Sequence, residues 1–127
     1  MDERQRILLI DDDRDMVRVL DRTLQLEGFD TVIVTDSDSA INIMDKIKPD
    51  MVILDETTPG QESFEIVGQI REHSNVPIIM LTQEYEIGAL RQALSRGADD
   101  FIRKPFGAKS FIARVRAKLR RAGLKTV

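Results

Sequence analysis

The 127 residues predict a doubly wound α/β domain, and three observations carry that prediction. Five short apolar runs alternate with five stretches of helical period. The runs are continuously apolar, as strands buried on both faces of a parallel sheet must be. Acidic, hydroxyl and basic residues stand directly after the runs, on the edge where such sheets place their sites.

Taken in order, Ile7 to Ile10 forms the first run. A helix from about Arg14 to Glu27 follows, with Met16, Val17, Leu20 and Leu24 on one face and Gly28 as its stop. Thr31 to Val34 is the second strand. The second helix opens at Ser37, carries Ala40, Ile41, Met44 and Ile47, and ends before Pro49, because the residue preceding a proline is pushed out of helical geometry. Met51 to Leu54 and Val76 to Leu81 are the third and fourth strands, separated by a helix from Ser63 to Glu72. A fourth helix runs through Ile87, Leu90 and Leu94 to Gly97. The short fifth strand holds Phe101 and Ile102, and a helix from about Ala108 to Ala122 closes the series with the stripe Phe111, Ile112, Val115 and Leu119. Right-handed crossovers then put helices on both sides of the sheet, giving a flavodoxin-like (βα)5 three-layer sandwich with strand order 2-1-3-4-5.

This length suits one domain, expected over 1–127 with its core at about 6–121. Hydrophobic residues at 42% and charged residues at 32% are the mixture of a soluble globular chain. The longest apolar runs fall far short of the roughly 20 residues a bilayer needs, so a cytoplasmic protein without membrane contact is expected. With no cysteine, disulfides, thiolate metal sites and cysteine nucleophiles are excluded. Every acidic residue lies at or before Asp100, and the end of the chain is basic. Most of those basic residues share a helix with an apolar stripe, and no recognition helix or aromatic platform accompanies them, so they read as a solvated face and not as a nucleic-acid site.

The chemistry concentrates at the strand ends. Asp11, Asp12 and Asp13 follow the first strand, Asp55 the third, Thr82 the fourth and Lys104 the fifth. With the first and third strands adjacent, Asp11, Asp12 and Asp55 are expected within a few ångströms of one another. Three carboxylates repel unless a hard cation neutralises them, and oxygen ligands with room for water suit Mg²⁺. A carboxylate beside that ion can attack a phosphoryl donor while Lys104 and the Thr82 hydroxyl stabilise the transferring oxygens. Singly, each residue has a blander reading as a helix cap or surface group; jointly, roles at successive strand ends favour the functional one. Asp13 is the exception and reads as the cap of the first helix.

The segments ILLIDDD, PDMVILD, PIIMLT and GADDFIRKPF, in this order, resemble the receiver domains of bacterial response regulators, and the resemblance extends from Arg6 to Arg121. It implies that Asp55 is the phosphoacceptor, Asp12 a direct Mg²⁺ ligand, Asp11 its water-mediated companion and Thr57 a ligand through its backbone carbonyl. It further implies that Thr82 is the switch hydroxyl, Lys104 the phosphate-binding lysine, Phe101 the switch aromatic and the Lys104–Pro105 bond cis. The donor it implies is a sensor histidine kinase, so His73 needs no catalytic role. Such a domain is a switch, catalysing only its own phosphorylation and dephosphorylation.

The ending KPFGAKSFIARVRAKLRR resembles the OmpR/PhoB-like branch, which implies transcriptional output and a homodimer through the fourth helix, fifth strand and fifth helix. Asp100 and Arg114 match its cross-dimer ion pair, and Leu94 and Ile112 its apolar patch; Leu90 and Ser110 depart from a second pair. The loop DETTPGQES departs from the family pattern at Glu56, Thr58 and Ser63, and Gln83 replaces a small residue after Thr82. Thr57 and Gln83 are therefore expected to modulate access to the phosphoryl group. Two other readings remain: a receiver-like module that signals without phosphorylation, and a haloacid-dehalogenase-type phosphatase built on Asp11 and Asp13, which leaves Asp55 unexplained.

Overall fold

In the computed structural model, which describes residues 4–56, 63–83 and 87–123, strands and helices alternate along the chain. The strands are β1 (Arg6–Ile10), β2 (Asp30–Val34), β3 (Met51–Asp55), β4 (Ile78–Thr82) and β5 (Asp100–Arg103). The helices are α1 (Arg14–Leu26), α2 (Ser37–Ile47), α3 (Ser63–His73), α4 (Ile87–Arg96) and α5 (Ala108–Arg121). All strand pairs are parallel, in the order β2-β1-β3-β4-β5. This is the expected flavodoxin-like order, and each expected element is present within about two residues.

Strand residues alternate between two cores because successive side chains leave a strand on opposite faces. Leu8, Ile10, Val52, Leu54, Ile78 and Met80 meet Ala40 and Met44 of α2, Ile66, Val67 and Ile70 of α3, and Ala93 of α4. Ile7, Leu9, Met51, Ile53, Ile79 and Leu81 meet Leu20 and Leu24 of α1 and the α5 stripe Phe111, Ile112, Val115 and Leu119. Both faces of β1, β3 and β4 are thereby dry, and each fully buried aliphatic side chain contributes roughly 1.5–3 kcal/mol.

Local chemistry sets the ends of the elements. Asp13 Oδ1 accepts from the N–H groups of Asp15 and Met16 and caps α1. Asp36, not Ser37, caps α2: its carboxylate accepts from the N–H and hydroxyl of Ser39, which holds the Asp36 pKa below its ordinary value. Helix α4 stops at Gly97, whose φ of +114° suits glycine. A Cβ there would come within 2.8 Å of Arg71 Cγ. Arg71 from α3 fills that space, donating to the carbonyls of Gly97 and Val76 and pairing with Asp99 at 2.8 Å. Asp99 in turn accepts from the Ile78 N–H at 2.7 Å. One guanidinium thus ties the end of α3 to the start of β4 and the turn before β5.

One expectation about side chains needs correction. Ile112, expected on an apolar dimer patch, is buried in the core beside Val115, with 5% exposure; on the α5 helix it belongs to the same inward stripe as Phe111. Leu94 is half exposed, and Ala93 supplies the buried contact of α4 among its described side chains. His73 is the last residue of α3 and is exposed.

Candidate functional site

The parallel register aligns the carboxyl ends of β1, β3, β4 and β5. Ile10 pairs with Leu54, Asp55 with Leu81, and Thr82 with Arg103. Backbone bonds continue past the strands, from the Glu56 N–H to the Leu81 carbonyl at 3.0 Å and from the Lys104 N–H to the Thr82 carbonyl at 2.8 Å. Asp11, Asp55, Thr82 and Lys104 therefore stand at one edge because each is the last residue of its strand or the first beyond it.

Burying polar groups is costly, so a protein that does so must satisfy or use them. Among the described residues the buried polar side chains are Asp11, Ser37, Asp55 and Thr82, at 2%, 1%, 0% and 0% exposure. Three of these four are residues singled out from the sequence. The Lys104 ammonium donates to Asp55 Oδ2 and neutralises it. Asp11 Oδ1 accepts from the Asp13 N–H at 3.0 Å, while its Oδ2 is buried without a hydrogen-bond partner. Burial above all, then the charge of Asp55, push the Asp11 pKa up to about 6, against the pull of the Asp13 N–H and the Lys104 charge.

The expected convergence of three carboxylates is only partly met. Asp11 and Asp55 face each other, whereas Asp12 is exposed, and no group of three or more acidic or histidine side chains is gathered for a metal among the described residues. The pleat explains the difference: with Asp11 turned inward, the next residue turns outward. The donors still fit a hard, hydrated cation, because an orphaned buried carboxylate oxygen on Asp11 lies beside the Asp55 carboxylate. An open cavity of about 340 Å³ starts at Asp11 and Asp12 and runs past Arg14, Val17 and Ile33. Thr57 and Thr58 lie outside the described residues, as do the side chains of Ser63 and Leu90.

Phe101 is half-buried against the α2–α3–α4 core. The Lys104–Pro105 bond is cis. Asp100 and Arg114 pair within the same chain at 3.3 Å, and Arg114 Nη1 also donates to the Phe101 carbonyl at 2.6 Å. The contact that sequence reasoning missed joins two residues it had noted separately: the Gln83 N–H donates to Glu56 Oε1 at 2.8 Å. A backbone donor leaves no trace in the residue type, so the pattern of side chains could not point to it.

A five-stranded parallel sheet in this order, with buried acids, a hydroxyl and a lysine on its carboxyl edge, defines a flavodoxin-like domain of the receiver type. The sequence model of the response regulator receiver domain matches residues 7–116, and the chain belongs to that family. It is 42% identical over 118 residues to the DNA-binding response regulator MtrA of Mycobacterium tuberculosis (strain ATCC 25618 / H37Rv), covering 93% of this chain and 52% of the relative. The chain thus spans about half the length of the curated relatives it matches. Among solved structures it is similar to a putative response regulator from Chloroflexus aurantiacus J-10-fl. That match has a TM-score of 0.88 and 28% identity, over 94% of this chain and all of that one. The chemotaxis protein CheY4 of Vibrio cholerae matches with a TM-score of 0.86 and 25% identity, over 91% and 99% of the two chains.

Proposed function

We propose that this receiver domain accepts a phosphoryl group on Asp55 from the phosphohistidine of a sensor kinase, in a Mg²⁺-dependent reaction. The observation that carries the reading is the burial of Asp11, Asp55 and Thr82 at one sheet edge, with Lys104 bonded to Asp55. A carboxylate oxygen of Asp55 forms the bond to phosphorus, the phosphorus–nitrogen bond of the donor breaks, and its electron pair leaves on the imidazole. Lys104 supplies a positive charge at Asp55 and can follow the transferred oxygens, and Thr82 supplies a hydroxyl donor on the adjacent strand. Asp11, Asp12, Asp55 and the Thr57 carbonyl are the proposed Mg²⁺ ligands. Bound there, the cation neutralises the acidic pair and polarises the phosphoryl oxygens.

Phosphorylation would then shift a two-state equilibrium read out around α4 and β5, with Thr82 and Phe101 as the switch pair. Gln83, exposed beside Thr82, and Thr57 are proposed to modulate access. A homodimer through α4, β5 and α5 and a transcriptional output are proposed from the branch resemblance and from the DNA-binding description of MtrA. Direct nucleic-acid contact is not assigned to this domain. No described helix is long and apolar enough to cross a membrane, and a cytoplasmic site is proposed. Against the phosphatase reading, Asp13 Oδ1 caps α1, and that reading leaves Asp55 without a role.

The test is intact mass after incubation with acetyl phosphate, with and without Mg²⁺, beside Asp55→Ala. One phosphoryl adduct that needs both Mg²⁺ and Asp55 supports the reading. No adduct with this donor, together with no beryllofluoride binding, would leave a module that signals without phosphorylation.

A further inference from the structure

The exits of β3 and β4 are clasped by one residue. Glu56, directly after Asp55, donates its N–H to the Leu81 carbonyl at 3.0 Å, and its carboxylate accepts from the Gln83 N–H at 2.8 Å. Thr82 lies between those two contacts and is held on its other side by the Lys104 N–H at its carbonyl, 2.8 Å away. A hydrogen bond to an ionised acceptor is stronger than a neutral one, so the carboxylate is the part of the clasp that charge can strengthen or weaken.

We propose that Glu56 is a positioning residue that holds the Thr82–Gln83 segment in its resting place, and that phosphorylation of Asp55 releases it by like-charge repulsion. The inference rests on Asp55 being the phosphoacceptor. A phosphoryl group replaces one carboxylate charge by close to two, one residue from Glu56 in the chain. The added negative charge weakens the attraction that keeps Glu56 near the edge, and the Gln83 N–H is let go. The β4 exit is then free to move with Thr82. The clasp uses a backbone donor, so the Gln83 side chain is not part of it, and Gln83→Ala retains the bond.

The experiment follows the residue-83 amide by ¹H–¹⁵N correlation spectra in the wild type, Glu56→Ala, Glu56→Gln and Gln83→Ala, with Mg²⁺ present throughout, at rest and with beryllofluoride. At rest, the wild type and Gln83→Ala show the downfield position of an amide bonded to a carboxylate, and Glu56→Ala loses it. On activation the wild-type amide leaves that position. Glu56→Gln, which keeps an acceptor oxygen without the charge, retains its own resting bond. Labelling by acetyl phosphate becomes faster in Glu56→Ala by about tenfold, the factor of one charge-assisted hydrogen bond. An amide unchanged between wild type and Glu56→Ala at rest overturns the clasp, and a wild-type amide that stays bonded on activation overturns the release. Absence of any Asp55 adduct by mass would instead overturn the phosphoacceptor reading, whatever the resting spectra show.

Discussion

Lys104 donates its ammonium to the fully buried carboxylate of Asp55, linking the exit of the edge strand β5 to the end of the central strand β3. The lysine side chain is itself only 11% exposed, so the pair exchanges its water for each other. Such a pair contributes little net stability while intact, yet losing one partner strands the other charge in a dry site.

Lys104→Ala is therefore expected to destabilise the domain by about 3 kcal/mol in metal-free buffer. Urea unfolding checks this. Saturating Mg²⁺ should recover part of the loss, since the cation replaces the missing positive charge beside Asp55. A variant as stable as the wild type without Mg²⁺ would mean that the ion pair does not neutralise Asp55.

Asp11 makes stability depend on pH. Its folded pKa, about 6, lies above the ordinary value of 3.8, chiefly through burial. A raised carboxylate pKa means that the folded state prefers the proton. The benefit is complete below pH 3.8 and disappears as pH rises through 6. Considering this group alone, the metal-free domain should lose up to about 3 kcal/mol between those limits. Asp11→Asn should flatten that dependence, stabilise the metal-free protein at pH 7.5 and remove the stabilisation by Mg²⁺. Unfolding curves at pH 5 and pH 7.5 for both proteins decide it, and an identical pH response in the variant would remove Asp11 as the cause.

How far the sequence revealed this site depended on which atoms mattered. Asp11, Asp55, Thr82 and Lys104 were legible because side-chain chemistry at strand ends is written in residue types, and apolar runs locate the ends. Asp12 shares the open cavity with Asp11 but is exposed, because side chains two residues past the end of β1 are no longer held by the sheet and residue type alone does not report that. For Ile112 the helical period was the better guide: the stripe it shares with Phe111, Val115 and Leu119 is buried, whereas the branch resemblance set it on a surface patch. The roles of Glu56 and Arg71 rest on bonds to backbone groups 27 and 26 residues away, the Gln83 N–H and the Gly97 carbonyl. No local pattern reports such partners.

Arg71 is expected to matter for stability and not for phosphotransfer. Its guanidinium reaches the carbonyls of Gly97, Val76 and Ser74 and the carboxylate of Asp99, far along the strands from Asp55. Arg71→Ala should cost about 2–3 kcal/mol, the scale for losing charge-assisted hydrogen bonds to part-buried acceptors. Arg71→Lys should recover little, because an ammonium cannot serve a fork of acceptors. Thermal unfolding measures the loss, and acetyl phosphate labelling of the surviving folded protein should proceed at the wild-type rate. A labelling defect in folded Arg71→Lys would mean instead that this corner communicates with the site.

The proposed dimer makes a prediction that hinges on Asp100 and Arg114. They are already paired within one chain, with Arg114 also holding the Phe101 carbonyl, so a cross-dimer pair must replace an intrachain one and gains little net energy. Association should then depend mainly on apolar contact, and with Ile112 buried the exposed candidate is Leu94, at 50% exposure. Leu94→Glu is expected to lower dimer affinity of the beryllofluoride-activated domain by at least tenfold, while Asp100→Ala changes it by only a few-fold, since exposed pairs contribute about 0–1 kcal/mol. Sedimentation velocity over a concentration series reads both. If Asp100→Ala were the more damaging variant, the ion pair would be exchanged between chains at a gain, and the intrachain bond would be a resting contact that activation breaks.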